Sequence, residues 1–285
     1  MRRIVNTPEP SQSMSRTRKP SNATLPPHSR RLYDWFMWYV RGYCRKHFHS
    51  IRLLKPSDNR PAVPLIEGES VLLCTNHASW WDPLIFFLVA QKLYPDRTNY
   101  GPMDATALGR YSFLKRIGFL GIERDSWKGA ARFLRFAKAA MERSDVLFWV
   151  TAQGDFVDPR QRPVDMKPGV GHAAANAKHG WIIPFAVEYP FWNERLPEAL
   201  VAFGTPQRVE LYQDLNAAQW NKHLAAALEE TQNELRTAAI SRDANAFIEL
   251  AAGTVGIGGV YDITRRIRST LAGQRFNPAH EQDPS

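Results

Sequence analysis

Cysteine is scarce: Cys44 and Cys74 are the only two in 285 residues. One falls in a helix-like stretch and the other in a strand-like one, and so sparse a pair reads as two buried thiols in a reducing compartment. Long apolar runs are also missing. Nothing approaches the roughly 18 consecutive apolar residues that a spanning helix needs, which leaves lying on the surface as the way to meet a membrane. Residues 1–31 are polar, rich in Pro, Ser and Arg, and lack the apolar centre of a secretory signal, so a disordered basic tail is expected there. No internal repeat is visible. There is no GxSxG elbow and no HExxH, and His172 and His179 stand on a helix-like stretch without cysteine partners, which excludes hydrolase and structural-zinc readings. Glycines 253, 256, 258 and 259 do not follow a clear strand in GxGxxG spacing, so tight helix packing or a turn at a membrane fits them better than a nucleotide loop.

Basic charge and aromatic rings are plentiful. Lys and Arg number 37 against 28 Asp and Glu, a net charge of +9, and the pI is about 9.7. An anionic partner follows: nucleic acid, an acidic substrate or an anionic membrane. Nine Trp and fifteen Phe favour the membrane, because aromatic rings suit the headgroup layer, although they also fill cores. Arg265, Arg266 and Arg268 supply further charge, but no nucleic-acid-binding element accompanies them. Apolar and charged fractions of 44% and 23% are those of a folded chain.

Order is expected from Leu32. The run LYDWFMWYVRGYCRKHF predicts a helix with aromatics along one side and a basic end. Two readings stay open: an interfacial helix in which Trp35, Trp38, Arg41, Arg45 and Lys46 meet lipid, or a core helix whose basic end matches its dipole. SVLLCT, DVLFWVTA and the stretch from Trp181 to Val187 predict buried strands, with another around Asn99 to Asp104 and one at Leu200 to Phe203. Helices are expected from Asp82-Pro83 onward, as N-cap and first helical position, over Trp127 to Arg143, Gly169 to Lys178, and Ala217 to about Ala239. Asp104 reads as structural. The alternation predicts an α/β fold: a central mixed, mostly parallel sheet flanked by helices, with an N-terminal aromatic amphipathic helix and a C-terminal helical extension. The expected divisions are a tail (1–31), an interfacial helix and linker (32–60), an α/β core (61–210) and a helical extension (211–285).

Within LLCTNHASWWDP, His77 stands where a strand ends, so its ring can face a cleft at the carboxyl edge of the sheet. A sharp turn lets the Asp82 carboxylate reach one ring nitrogen, leaving the other to take a proton from a hydroxyl. The alternative is an N-cap aspartate beside an incidental histidine. Ser79 is too near His77 in sequence to present a nucleophile to that ring. Trp80 and Trp81 suit an acyl tunnel, an interface or the core.

NHASWWD resembles the NHxxxxD signature of the glycerolipid acyltransferases, the family of bacterial 1-acyl-glycerol-3-phosphate acyltransferase. Further blocks follow in that family's order. GFLGIERD is similar to its second block, FWVTAQGDF stands where it has Pro-Glu-Gly-Thr-Arg, and Lys167-Pro168-Gly169 and Ile183-Pro184 resemble the later ones, over roughly residues 65–190. The resemblance implies His77 as general base oriented by Asp82. The acceptor hydroxyl attacks the thioester of acyl-CoA or acyl-carrier protein directly, with no cofactor beyond that co-substrate. Arg124 inherits the phosphate-binding role, and backbone N–H groups at the start of the Pro83 helix or around Gly154 are candidates for the oxyanion. A membrane surface is the implied partner, with the protein peripheral on its cytoplasmic face and no nucleic acid involved.

The third block departs from the pattern: Ala152 replaces the proline, Gln153 the glutamate, Asp155 the threonine and Phe156 the arginine, while Gly154 is retained. Phe156 cannot bind phosphate and Asp155 repels it. Arg160 and Arg162, with Lys167, either restore a cationic pocket or are solvated loop charges. The family's usual acceptor, a lysophospholipid such as lysophosphatidate, thus acquires a rival in an uncharged or glycosylated lipid, a glycosyl carotenoid included. A catalytically silent lipid-binding relative is the non-enzyme alternative.

Overall fold

A computed structural model describes residues 24–253, apart from Asn59 and Glu67. Of the expected tail (1–31), residues 1–23 lie outside the described residues, as does the glycine-rich stretch beyond Gly253; residues 24–31 are described, with Pro26 O accepting from the Tyr100 hydroxyl at 2.8 Å and Ser29 N–H donating to Arg116 O at 2.7 Å. The strands are β1 (Ser50–Leu54), β2 (Val71–Thr75), β3 (Thr98–Asp104), β4 (Phe119–Ile122), β5 (Val146–Thr151), β6 (Trp181–Glu188), β7 (Glu198–Phe203), β8 (Gln207–Arg208) and β9 (Phe247–Ala252). They form one sheet in the order β4-β3-β5-β2-β6-β7-β1-β9, with β8 paired to β6. Pairing is parallel from β4 through β6 and again between β7 and β1; β6–β7, β6–β8 and β1–β9 are antiparallel. The fold class expected from the sequence is therefore the one observed.

Residues that alternate along β2 serve opposite layers. Val71 and Leu73 join α1 (Arg30–His47) and α2 (Asp82–Leu93) on one face, while Leu72 and Cys74 join α4 (Trp127–Met141), α5 (Gly169–Asn176) and α6 (Ala217–Ser241) on the other. A central strand sandwiched between helix layers has to be apolar at every position, and β2 is buried throughout. Ser126 caps α4 through Gly129 N–H, and Asn216 with Gln219 forms a capping box on α6. Between β3 and β4 lies the short helix α3 (Ala105–Arg110), whose N-terminus Asp104 caps through Ala107 N–H, the structural role expected of it.

α1 begins at Arg30 and does two things at once. Tyr33, Phe36, Met37, Val40 and Cys44 are buried against the sheet and α2, each large side chain contributing about 1.5–3 kcal/mol. Trp35, Trp38 and Tyr39 project outward, Trp38 with 67% of its surface exposed. The helix is thus a core element that also shows an aromatic face.

Four strands were not expected: the short β4 and β8, and β1 and β9. β1 carries Arg52 in a stretch that reads as a connection, yet it is fully buried because Arg52 pairs with Glu198 at 3.2 Å and with Glu249 at 3.8 Å. Ser50 also donates to Glu198. β9 pairs with β1, so the glycine-containing segment enters the sheet as an edge strand before Gly253.

Candidate active site

β2, β5 and β6 run parallel in register, with Thr75 opposite both Thr151 and Phe185. Their exits therefore place Asn76-His77, Ala152-Gln153 and Tyr189 side by side at the carboxyl edge, where open α/β sheets bind ligands. Backbone bonds tie these exits together. Ala152 N–H donates to Thr75 O at 2.8 Å, Val157 N–H to His77 O at 2.8 Å, and Lys167 N–H to Ala152 O at 2.9 Å. Asn76 clamps β6 by bonding both the N–H and the C=O of Val187, at 2.8 and 3.0 Å.

His77 Nδ1 lies 2.7 Å from Asp82 Oδ2, and Asp82 is completely buried. Asp82 does not cap α2. The N-cap is Trp81, in helical conformation, and Asp82 opens the helix at its first position. Its carboxylate turns back to accept from Ser79 N–H at 3.1 and 3.2 Å and from the Tyr189 hydroxyl at 2.7 Å. Because a carboxylate only accepts, Nδ1 carries the proton of this bond, and Nε2 is left as the basic nitrogen. Burial pushes the Tyr189 phenol well above its ordinary range, so it stays a neutral donor.

Gln153 is buried, and its Oε1 accepts from His77 N–H at 3.0 Å. The side chain where the resemblance expects an acceptor-binding glutamate thus spends its carbonyl on the catalytic turn, leaving its amide nitrogen for a ligand. Phe156 lies against the catalytic ring, centroid to centroid 4.4 Å, with most of its other surface open. Gly154 N–H donates to Thr151 O, and at the start of α2 the N–H groups of Asp82, Leu84 and Ile85 donate to the Ser79 and Trp81 carbonyls.

Beside this pair sits a charge cluster. Arg124 Nη2 bonds Asp155 Oδ1, and Lys167 Nζ stands 3.6 Å from Asp155 Oδ2. The Arg124 hydrogen bond, reinforced by Lys167, holds the Asp155 carboxyl below its usual range. Gly154 makes this geometry possible with φ at +75°, and its missing side chain leaves room for the Lys167 stem. Arg160 and Arg162 go elsewhere. Arg160 forms a two-pronged pair with Asp158, lowering that carboxyl to about 2, while Arg162 bonds Asn233 of α6 and the Pro159 and Gln161 carbonyls. Of the cations expected near a phosphate, the fold brings Arg124 and Lys167 together on Asp155.

The expected membrane residues share α1. Trp35, Trp38 and Lys46 are exposed, and Arg41 bonds Gln91 of α2 at 2.8 Å. Among the described residues no helix is long and apolar enough to cross a membrane. A groove of about 870 Å³ runs along the second half of α1 to the ends of β1 and β9, lined by Trp38, Tyr43, Phe48, Ile51 and Leu88, with Arg41, Arg45 and Lys46 among its walls. It meets the catalytic turn through Tyr43, whose hydroxyl accepts from Trp81 Nε1 at 3.3 Å.

Sequence reasoning missed Tyr189, 107 residues from its partner. The signal was the parallel register of β2 and β6, which sends both exits to the same place. No curated protein matches the chain. The family model described as Acyltransferase matches residues 54–188, a span that holds β2 through β6 with His77, Asp82, Arg124, Gln153 and Lys167. Residues 54–188 are an acyltransferase domain, and with the His77–Asp82 pair at its sheet edge the protein is an acyltransferase.

Proposed function

We propose that the protein moves a fatty acyl group from the thioester of acyl-CoA or acyl-carrier protein to a lipid hydroxyl that has no phosphate monoester beside it. Nε2 of His77 takes the hydroxyl proton as the oxygen attacks the thioester carbonyl. The tetrahedral species collapses, the C–S bond breaks, and the thiolate leaves with the proton from the imidazolium. Both substrates must be bound together, because nothing in this chemistry requires an acyl-enzyme.

One observation carries the choice of acceptor: the Asp155 carboxylate already lies between Arg124 and Lys167. An incoming phosphate would have to displace that internal anion and meet its charge at close range. Phe156 on the His77 ring offers the acceptor an apolar surface instead. Uncharged and glycosylated lipid alcohols fit this wall, and the Gln153 amide nitrogen suits a sugar or glycerol oxygen. Lysophosphatidate is the second reading, supported by the half-exposed state of Arg124 and Lys167, from which an exposed carboxylate can be displaced.

For the donor, the groove under α1 offers an apolar bed with cationic side chains for carrier phosphates. The exposed Trp35 and Trp38, with Arg41, Arg45 and Lys46, form the face that rests on an anionic membrane. The protein then works as a peripheral enzyme on the cytoplasmic leaflet, where acyl thioesters are found. The test is incubation of purified protein and vesicles with radiolabelled palmitoyl-CoA or palmitoyl-carrier protein and a panel of lysophosphatidate, other lysophospholipids, glycolipids and a glycosyl carotenoid. Labelled product from a phosphate-free acceptor supports the proposal. Product mainly from lysophosphatidate overturns the choice of acceptor, and no product from either donor with any acceptor overturns the whole proposal.

A further inference from the structure

We infer that Tyr189 is a positioning residue for the reaction: its hydroxyl, acting through the Asp82 carboxylate, orients His77 and fixes which ring nitrogen faces the substrate as proton acceptor. The inference rests on the reading of His77 as the base.

The placement of Tyr189 is built into the sheet. Asn76, one residue before His77, holds both backbone groups of Val187. This fixes the exit of β6 against the exit of β2 and sets Tyr189, two positions on, over the catalytic turn. Its ring packs against Trp81 at 5.4 Å and Phe48 at 5.8 Å. Its hydroxyl donates to Asp82 Oδ1 at 2.7 Å. The other oxygen, Oδ2, faces His77 Nδ1, and Ser79 N–H bridges the two. A carboxylate with no exposed surface has thus found neutral donors for its remaining lone pairs, as burial demands.

The chemistry follows from where the phenol proton sits. A hydrogen bond into Oδ1 draws electron density from the carboxylate and weakens its attraction for a doubly protonated imidazole. It also fixes the carboxylate plane, and with it the ring that faces the substrate. The titratable groups facing Tyr189 are Asp82 from α2 and the Cys44 thiol from α1. Burial pushes that thiol up to about 12, so it stays neutral and adds no charge. The groups facing Asp82 are Tyr189 and His77. On the other side of His77 stand the Phe156 ring and the Gln153 amide, both uncharged.

Tyr189→Phe keeps the ring and removes only the donor. The expected result is a kcat at neutral pH lowered about tenfold with the KM of both substrates unchanged. The acid limb of the rate profile moves to higher pH, so the loss shrinks as the pH is raised. In proton NMR, the His77 Nδ1 proton moves downfield as its bond to the now more basic carboxylate tightens. This readout needs no turnover and separates failure of the inference from failure of the acceptor assignment. A 3-fluorotyrosine installed at position 189 is the counter-test: as a stronger donor it moves the acid limb to lower pH. A Phe variant whose profile and resonance superimpose on the wild type, with only its Tm changed, would reduce Tyr189 to packing. A rise in KM with kcat intact would make it a substrate contact instead. Either outcome overturns the inference.

Discussion

Asp82 and Asp155 both stand at the carboxyl edge of the sheet beside basic side chains, yet they are held in opposite ways. Asp82 has no exposed surface, and its oxygens are divided among His77, Ser79 and Tyr189. The Asp155 side chain is 51% exposed and is held by Arg124 and Lys167, which are themselves about half exposed. Buried and fully bonded, the first arrangement has one geometry, and removing any member perturbs the others. The second is a surface ion cluster, screened by water and open to exchange. The His77–Asp82 pair is thus fixed in the interior, while the acceptor choice we propose rests on charges that a single substitution can rearrange.

Breaking the buried side has the largest expected effect. His77→Ala removes the base and lowers transfer by about 10³-fold or more, measured as product formed per folded enzyme. Asp82→Asn keeps the shape but presents an amide to Nδ1, and a loss of about 10²- to 10⁴-fold is expected with KM little changed. Stability offers a parallel contrast between two glycines. A methyl group on Gly171 would strike the Ala217 carbonyl oxygen and Asn221, where α5 packs on α6. Gly171→Ala should cost about 1–3 kcal/mol in denaturant unfolding. Gly154→Ala faces only the movable Lys167 stem at 2.9 Å and a left-handed backbone, so about 1–2 kcal/mol is expected, together with a disturbed acceptor preference.

Smaller effects sharpen the exposed side. Gly42 lines the α1 groove and has nothing within 4 Å of the position a side chain would take. Gly42→Phe should leave stability within roughly 0.5 kcal/mol and shift the preferred donor to shorter acyl chains, read from competition between acyl-CoA lengths. An unchanged length preference would remove the acyl chain from that groove. Smallest in catalytic terms is the double variant Trp35→Ala, Trp38→Ala. It should lose retention on anionic vesicles while its activity on detergent-dispersed substrate stays near wild type.

Legibility in the sequence follows the same division. β2, β5 and β6 could be read because strands buried on both faces have to be continuously apolar. His77 and Asp82 could be read because a five-residue spacing across one turn is a local relation. β1 was hidden because its charge is neutralised by Glu198 and Glu249, which arrive from distant strands. Tyr189 on Asp82 and Gln153 on the His77 backbone depend on which strand exits become neighbours, and no local pattern records that. The fate of the loop arginines was equally non-local: Arg162 bonds Asn233, 71 residues away on α6.

The most direct test compares acyl transfer to a phosphate-free lipid alcohol and to lysophosphatidate, in wild type and in Asp155→Asn, with His77→Ala as the zero. Asparagine keeps the shape of Asp155 but removes the anion that occupies Arg124 and Lys167. On this reading of the Asp155 cluster the wild type favours the phosphate-free acceptor, and the ratio of kcat/KM values moves roughly tenfold toward lysophosphatidate in the variant. A ratio that Asp155→Asn leaves unchanged, or a wild type that already prefers lysophosphatidate, would contradict it.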